Sequence, residues 1–263
     1  MRVARFDKGG TIRWGFVEDD KVFEVGPAGG SEVEETLGLG LDGLQKIRDQ
    51  ATHSFPLNAV RLLAPVTRPS KIIGLARNYR DHGADAKAGP QLPILFGMVP
   101  SAIIGPGDAI ELPRQSERVD WECELAIVIG RRAKNVRADD ALEHVIGYTI
   151  LNDVSARDPE IVAGQLFRAK SFDTFKPLGP WITTVDELGD ASKLSLRLSV
   201  NGLIKQQSNT SNLVADVRRL VEFCSETFTL FPGDLIASGT PGGTGGSRTP
   251  PEFLKDGDDI EVE

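Results

Sequence analysis

The chain has 263 residues, of which 40% are hydrophobic and 26% charged, and its formal net charge is −8 at pH 7. This composition is typical of a soluble globular protein and not of a disordered chain. The negative charge argues against nucleic acid and anionic membranes as partners, because both repel an acidic protein. We recognise no signal peptide and no membrane-spanning apolar run, and the two cysteines form no disulfide framework, so we predict a cytoplasmic protein.

The first part of the chain is predicted to form a small α+β unit. Apolar and polar residues alternate up to residue 25, with pairs of turn residues between them, which predicts an antiparallel meander. Residues 31–50 have apolar side chains at helical spacing. Three prolines mark residues 54–70 as a linker, so we place a small N-terminal domain at 1–65 and a second domain at 66–263.

The second domain is predicted to be rich in strands, with few helices. Helices are predicted over 137–145, over 213–228 and just after Ser155, which forms a capping-box pattern with Asp158. Strands are expected within 92–130 and at 71–79, 147–153, 181–185, 194–202 and 234–240. The helices do not alternate with the strands as a doubly wound sheet requires, so we predict a strand-rich, mixed α/β fold.

The motifs of common hydrolases and nucleotide-binding proteins are missing. The chain has no GxSxG elbow, no P-loop and no HExxH sequence. Its glycine-rich stretch, SGTPGGTGGS, does not match the dinucleotide-binding pattern and precedes no helical segment. The remaining candidates for chemistry are carboxylates at the ends of apolar strands.

Two glutamates stand at the start of the apolar stretch DWECELAIVIG, whose two apolar faces predict an interior strand. Glu122 and Glu124 share a face of this strand about 7 Å apart, where their charges repel unless a cation lies between them. Asp153 ends a second apolar strand and could supply a third oxygen. Three carboxylates without histidine or cysteine suit Mg²⁺ or Mn²⁺. In the alternative interpretation the glutamates are a solvated strand end and Asp153 caps a helix.

Three further sites could take part in chemistry, and each also has an ordinary structural interpretation. Lys170 lies among aromatic and apolar residues, where it either faces a ligand or covers neighbouring phenylalanines at the surface. His82 is followed three positions later by Asp85, which could orient the imidazole, or both are simply polar loop residues. Thr240 lies in SGTPGG, which is either a plain tight turn or one whose backbone N–H groups meet an anion.

Taken together and in order, five segments resemble the fumarylacetoacetate hydrolase family. The resemblance covers roughly residues 66–263, and the N-terminal part resembles the small domain appended in many bacterial members. It implies a largely β roll as the catalytic domain, and a homodimer. The segments are GLARNYRDHGAD (74–85), WECELAIVIGRRAKNV (121–136), GYTILNDVSARD (147–158), RAKSFDTFKPLGPWITT (168–184) and SGTPGGTG (238–245).

The resemblance also implies roles for individual residues. Lys170 matches a lysine that stabilises an enolate, and His82, supported by Asp85, matches a lid histidine that activates water. The implied ligands of Mg²⁺ or Mn²⁺ are Glu122, Glu124 and Asp153. The implied substrate contacts are Arg77, Gln165 and Thr240.

Three features depart from the family pattern. Hydrolytic members usually carry glutamate where this chain has Asp85, which is one methylene shorter. Met98 stands where many relatives carry lysine, so one positive charge is missing at the substrate end remote from the metal. The sequence ends at IEVE, whereas relatives usually continue through another strand.

We therefore expect a divalent-metal-dependent enzyme that acts on small 2-oxo or 2,4-dioxo acids through a metal-bound enolate. The first expectation is hydrolysis of a C–C bond in an acylpyruvate, with His82 taking a proton from water. Oxaloacetate decarboxylation and isomerisation of 2-hydroxyhepta-2,4-diene-1,7-dioate are the alternative reactions. A catalytically silent relative that only binds a small oxo acid is the alternative outside enzymes.

Overall fold

The computed structural model describes residues 1–30, 32–82 and 92–263, which form seventeen β-strands and six α-helices. The strands are β1 (Arg2–Lys8), β2 (Thr11–Glu18), β3 (Lys21–Pro27), β4 (Ser54–Pro56), β5 (Arg61–Leu63), β6 (Ile72–Ala76), β7 (Ile94–Met98), β8 (Ile103–Ile104), β9 (Val119–Asp120), β10 (Cys123–Ile129), β11 (Val145–Asn152), β12 (Ser155–Ala156), β13 (Lys176–Thr184), β14 (Ser195–Val200), β15 (Leu203–Asn209), β16 (Leu235–Ala237) and β17 (Ile260–Val262). The helices are α1 (Glu32–Leu37), α2 (Gly40–Gln50), α3 (Pro159–Val162), α4 (Leu166–Ala169), α5 (Val185–Leu188) and α6 (Val217–Thr227). In these ranges, none of the helices has the length and apolar character needed to cross a bilayer.

Most of the strands belong to one twelve-stranded sheet. Its order is β4-β3-β2-β1-β13-β11-β10-β16-β6-β7, with β5 paired to β1 and β8 paired to β13. The pairs β16–β6 and β13–β8 are parallel, and the other pairs are antiparallel. Two small sheets, β12–β9 and β15–β14–β17, contain the remaining strands of the described chain. The predicted strand-rich, mixed α/β fold is confirmed.

The N-terminal strands form the predicted meander, and part of the predicted linker also belongs to the sheet. β1, β2 and β3 are consecutive antiparallel neighbours, and β1 also pairs with β13, so these strands extend the large sheet. Within residues 54–70, β4 pairs with β3 and β5 pairs with β1. Pro56 ends β4 at the sheet edge, where a residue without an N–H group interrupts no ladder. Proline in this segment is therefore compatible with short strands.

Helix α6 packs on the sheet through one apolar face. Its buried apolar residues, at spacings of one, three and four positions, are Val217, Leu220, Val221 and Cys224. Asp216 caps the helix, because its carboxylate accepts a hydrogen bond from the N–H of Arg219 at 2.9 Å. The helix therefore begins at Val217, later than the apolar pattern predicts.

Two other predicted helices differ in detail from the structure. The helix predicted over 137–145 is present as a 3₁₀ helix, Ala138–His144. Ser155 does not cap a helix, since it lies in β12 and its hydroxyl donates to the Asp153 carbonyl at 2.8 Å. A short helix does follow, and Asp158 is the residue that precedes it, with a proline at the first helical position whose φ suits a helix start.

β10 is the interior strand that the sequence predicts. It lies between β11 and β16, and all seven of its residues are buried. Ala126 and Val128 join an apolar cluster on one side of the sheet, whereas Leu125, Ile127 and Ile129 join a cluster on the other side. Packing on both faces holds the strand in place. The two glutamates at its start therefore have a well-defined position.

Candidate metal centre

Three carboxylates meet where the start of β10 lies against the end of β11. Because the strands are antiparallel, Cys123 pairs with Asn152, and the N–H of Asp153 donates to the Glu122 carbonyl at 2.9 Å. Glu124 is on the same face as Glu122 because side chains alternate along a strand. One oxygen from each of the three carboxylates lies within 4.8 Å of the other two.

The burial of these carboxylates excludes a solvated strand end. Glu122 is 6% exposed, Glu124 is 2% exposed and Asp153 is fully buried. Buried anions that repel each other are costly without a compensating cation. A set of oxygen donors without nitrogen or sulfur suits a hard divalent ion. The residues therefore fit Mg²⁺ or Mn²⁺.

Lys170 lies between two of the three carboxylates. Its Nζ is 2.7 Å from Glu122 Oε2 and 2.5 Å from Asp153 Oδ2, and it lies 5.2 Å from the centre of the Phe96 ring. The residue is only 4% exposed, so it is not a surface lysine. Burial alone lowers the pKa of a lysine, but Asp153 and Glu122 outweigh burial and raise the pKa of Lys170. The side chain is therefore a fixed cation within the cluster.

Two further cations, neither predicted from the sequence, contact carboxylate oxygens that Lys170 does not contact. The Arg157 guanidinium contacts Glu122 Oε1, and its Nε donates to Asp120 Oδ2 at 3.0 Å. Lys176 is fully buried, with its Nζ 2.8 Å from Asp153 Oδ1. Asp120 carries a sequence signal, because it precedes Glu122 by two positions, although it belongs to the separate strand β9. The two cations carry no such signal, since they reach the cluster from other parts of the fold.

The ion pairs make Glu124 different from the other two carboxylates. Burial by itself raises the pKa of Glu122, but Lys170 and Arg157 outweigh it and lower the pKa to about 2. Glu124 forms no ion pair with a described residue, and burial together with the charges of Asp153 and Glu122 raises its pKa well above the usual value. In the whole cluster, four buried carboxylates face three cations. A divalent cation beside Glu124 would supply the missing positive charge.

The glycine-rich turn over residues 238–246 binds carboxylates of the chain itself. The N–H of Gly239 donates to Glu124 Oε2 at 2.9 Å. The N–H groups of Gly245 and Gly246 donate to the two oxygens of Asp120 at 2.6 and 2.9 Å. The sequence predicts that backbone N–H groups of this turn could meet an anion, and both anions found there are internal.

Gly245 is required by close packing. A Cβ atom at this position would lie 2.7 Å from Asp120 Oδ1 and even closer to the Glu252 carbonyl oxygen. We expect Gly245→Ala to lower the free energy of unfolding by about 1–3 kcal/mol, as overpacking of a buried site does. Urea unfolding followed by circular dichroism measures this loss. Gly29→Ala is the control, because its Cβ would meet nothing within 4 Å; equal stability of the two variants would contradict the packing argument.

Thr240 is buried in the same turn and is held from two sides. Its hydroxyl donates to the Cys123 carbonyl at 3.0 Å and accepts from Gln206 Nε2 at 2.9 Å. Gln206 also donates to the Pro241 carbonyl at 2.9 Å and accepts from the Cys123 N–H at 2.8 Å. Gln206 was not predicted as a site residue, because a glutamine in a polar strand gives no signal. The described bonds leave no hydroxyl proton of Thr240 for a second acceptor.

His82 is half-buried and lies against the same turn. Its Nδ1 is 3.2 Å from the Pro241 carbonyl oxygen. A carbonyl can only accept, so Nδ1 carries the proton of this bond, and Nε2 of the neutral ring keeps a lone pair. Asp85, the predicted partner of His82, lies outside the described residues.

The remaining predicted substrate contacts lie at the surface. Arg77 follows β6, is exposed and has a φ of 59°, which is uncommon for a residue other than glycine. Gln165 is exposed and precedes α4. Neither side chain forms a hydrogen bond or ion pair with a described residue. Met98, where relatives carry lysine, is instead a core residue of β7 with 4% exposure.

Two family models match adjacent parts of the chain. The model described as fumarylacetoacetate (FAA) hydrolase C-terminal matches residues 71–263, which is most of the chain. The chain belongs to the fumarylacetoacetate hydrolase family. The resemblance stated from the sequence is thereby confirmed, and a second model, described as Rv2993c-like, N-terminal, matches residues 1–65.

Members of the fumarylacetoacetate hydrolase family that resemble this chain are named for three different reactions. The mitochondrial oxaloacetate tautomerase of Xenopus laevis is 43% identical over 237 residues, which are 88% of this chain and 74% of that protein. The structure of maleylpyruvate hydrolase from Sphingobium sp. SYK-6, in complex with manganese(II) and pyruvate, is 35% identical with a TM-score of 0.82 and covers 100% of this chain and 94% of that one. The structure of 2-hydroxyhepta-2,4-diene-1,7-dioate isomerase from Mycobacterium marinum is 36% identical with a TM-score of 0.78 and the same coverage.

Proposed function

We propose that the chain is a divalent-metal-dependent enzyme that converts 2-oxo acids through their enolates. The observation that carries this proposal is the buried cluster in which Glu122, Glu124 and Asp153 offer oxygen donors and Lys170 adds an ammonium group. When bound there, Mg²⁺ or Mn²⁺ would act as a Lewis acid on the carbonyl of a chelating 2-oxo acid.

Lys170 would stabilise the charge that develops on the 2-oxo oxygen. Two carboxylates already fix its ammonium group, so little reorganisation is needed when the enolate forms. The buried surroundings strengthen this interaction relative to water. Enolate formation is common to the three reactions for which the relatives are named. A proton shift accounts for tautomerisation and isomerisation, whereas bond cleavage next to C3 accounts for hydrolysis.

Keto–enol tautomerisation of oxaloacetate is the first candidate reaction. The Xenopus laevis relative named for it is 43% identical to this chain, compared with 35% for the hydrolase and 36% for the isomerase. Tautomerisation requires only a proton transfer at C3 beside the stabilised enolate, and no activated water. This order differs from the one predicted from the sequence, in which hydrolysis came first.

Hydrolysis of an acylpyruvate is the second candidate, and the position of His82 favours it. Because Nδ1 donates to the Pro241 carbonyl, Nε2 is available to take a proton from water. The resulting hydroxide would attack C4, and the electrons of the C3–C4 bond would form the enolate of pyruvate. Protonation at C3 then gives pyruvate, and the acyl group leaves as a carboxylic acid.

Parallel assays with Mn²⁺ and with EDTA test the proposal and separate the candidates. The ultraviolet absorbance of the oxaloacetate enol reports tautomerisation, and pyruvate release reports acylpyruvate hydrolysis or oxaloacetate decarboxylation. We expect metal-dependent turnover in at least one assay. Titration with oxalate, which mimics the planar enolate, completes the test. Metal-dependent oxalate binding without turnover would instead indicate a silent oxo-acid-binding relative, and no binding in either condition would reject the proposal.

His82→Ala is expected to lower the kcat of acylpyruvate hydrolysis by about 10²–10⁴-fold, the usual contribution of a general base. Oxaloacetate decarboxylation needs no attack by water, so its kcat should change little. His144→Ala is a matched control: its Nδ1 also bonds a backbone carbonyl, of Arg132 at 3.0 Å, but it lies at the opposite end of β11 from the cluster. Unchanged hydrolysis in His82→Ala would remove His82 from the mechanism.

We also propose a homodimer, which the family resemblance implies, and a cytoplasmic location, which the sequence predicts. The Xenopus laevis relative is named as a mitochondrial protein, so location differs within the family if the proposal holds. Light scattering of the purified chain tests the first proposal, and fractionation of the source cells tests the second.

A further inference from the structure

We propose that Arg157 is a positioning residue for Glu122 and that Asp120 holds Arg157 in place. The inference rests on the proposed metal-dependent function, because it concerns the orientation of one of the three oxygen donors. Arg157 follows β12 and reaches across to the start of β10, where its guanidinium contacts Glu122 Oε1. Its Nε donates to Asp120 Oδ2 at 3.0 Å.

Asp120 has the bonds expected of an anchor. It is fully buried, and its Oδ1 accepts from the N–H groups of Trp121 at 2.8 Å and Gly245 at 2.6 Å. Its Oδ2 accepts from the N–H of Gly246 at 2.9 Å in addition to Arg157. Rotation of this carboxylate would break several bonds at once in a buried place, where each lost partner is costly. Asp120 therefore ties Arg157 to the glycine-rich turn.

The planar guanidinium group of Arg157 bonds to both Asp120 and Glu122. The Nε and Nη2 atoms of Arg157 bond to Asp120 and Glu122 respectively, from one rigid plane. Lys170 holds the other oxygen of Glu122 at 2.7 Å. Glu122 is thus fixed between two cations, and its remaining lone pairs are available for a metal ion. A lysine at position 157 would keep the charge but could not reproduce the two-pronged contact.

Loss of Arg157 has opposite expected effects on cation binding, depending on whether the residue acts through its charge alone or by positioning Glu122. A guanidinium near the cluster repels a divalent ion, so loss of its charge alone would tighten the binding of Mn²⁺. If Arg157 positions Glu122, its loss lets the carboxylate rotate and weakens binding. Loss of a group that hydrogen-bonds to a metal ligand typically lowers metal affinity or activity by about 10–100-fold. The direction of the change therefore distinguishes the two roles.

Calorimetric titration of Mn²⁺ alone into the metal-free, full-length chain tests the inference. We expect Arg157→Lys and Arg157→Ala to bind Mn²⁺ about 10–100-fold more weakly than the wild type. The electron paramagnetic resonance spectrum of the bound Mn²⁺ should also change, because the donor geometry changes. Arg131→Ala is the control, since Arg131 is exposed and pairs with Glu143 at 3.7 Å, away from the cluster.

The possible outcomes distinguish failure of the positioning role from failure of the proposed function. If the wild type binds no Mn²⁺, the proposed function fails. If the wild type binds Mn²⁺ and folded Arg157→Ala binds it equally well or more tightly, the positioning role is overturned and the proposed function stands. A lower melting temperature in EDTA with unchanged Mn²⁺ affinity would likewise leave Arg157 a purely structural residue.

Asp120→Asn provides a second test if Arg157→Ala does not fold. This variant keeps Arg157 and all three oxygen donors, but its amide cannot accept at both positions that Asp120 Oδ1 and Oδ2 now occupy. We expect the same weakening of Mn²⁺ binding as in Arg157→Lys. Wild-type affinity in both Asp120→Asn and Arg157→Lys would overturn the inference.

Discussion

Lys170→Met is expected to lower kcat strongly and to destabilise the metal-free chain. Methionine fills a similar volume, but it leaves Glu122 and Asp153 without the ammonium group that lies 2.7 and 2.5 Å from them. Removing one partner of a buried ion pair typically costs about 3–5 kcal/mol, because the other charge stays buried and uncompensated. Urea denaturation in EDTA measures this loss of the free energy of unfolding.

The loss of activity should exceed what the loss of stability explains. Removing one group that stabilises developing negative charge typically lowers kcat by about 10²–10³-fold. Mn²⁺ should restore much of the stability of Lys170→Met, but not its kcat, because the ammonium contact to the oxyanion is still missing. Lys71→Met is the matched control: Lys71 pairs with the buried Asp234 outside the cluster, so this variant should lose stability and keep its kcat. Wild-type kcat in folded Lys170→Met would exclude Lys170 from enolate stabilisation.

Glu124→Gln is expected to separate metal binding from folding. Glutamine keeps an oxygen that can accept from the N–H of Gly239, as Glu124 Oε2 does at 2.9 Å. It also removes a buried negative charge. The raised pKa of Glu124 indicates that this charge is unfavourable in the metal-free chain. In EDTA the variant should therefore be at least as stable as the wild type. Mn²⁺ at about 1,000 times its Kd stabilises a protein by about 4 kcal/mol, and the variant should lose most of this gain.

Thermal unfolding in EDTA and in Mn²⁺ measures both parts of this prediction, and turnover should fall with the metal-dependent part. Glu34→Gln is the matched control, because Glu34 is also buried and accepts backbone N–H bonds, from Thr67 and Arg68, but lies outside the cluster. It should keep the full Mn²⁺ response. A full Mn²⁺ response in Glu124→Gln would show that Glu124 is not a ligand.

The candidate site is predictable from the sequence where it depends on strand pattern. The E-x-E spacing places Glu122 and Glu124 on one face of an apolar strand, because side chains alternate with a period of two. Asp153 ends a second apolar strand, and antiparallel pairing brings that end to the start of β10. The position of His82 beside the glycine-rich turn was implied only by family resemblance, since no local pattern joins the two segments.

Residues whose role depends on long-range contacts gave no usable signal. Arg157 and Lys176 are ordinary basic residues in the sequence, yet both are held against buried carboxylates. The strands within the predicted linker were missed for a related reason: prolines indicate local interruptions, but strand pairing by β4 and β5 is decided by neighbours distant in the chain. Ser155 likewise matched a capping pattern, although its backbone belongs to a strand.

By itself, the sequence determined the strand-rich fold class, the family and the three clustered carboxylates. These depend on apolar periodicity and on motifs whose order is visible along the chain. Only the tertiary structure decided which cations compensate the carboxylates, and that Glu124 alone among the three has no ion pair with a described residue. It also decided that the N–H groups of the glycine-rich turn bind Glu124 and Asp120. The physical reason is that charge compensation in a buried site depends on distances of a few ångströms between segments far apart in sequence, and local patterns do not encode those distances.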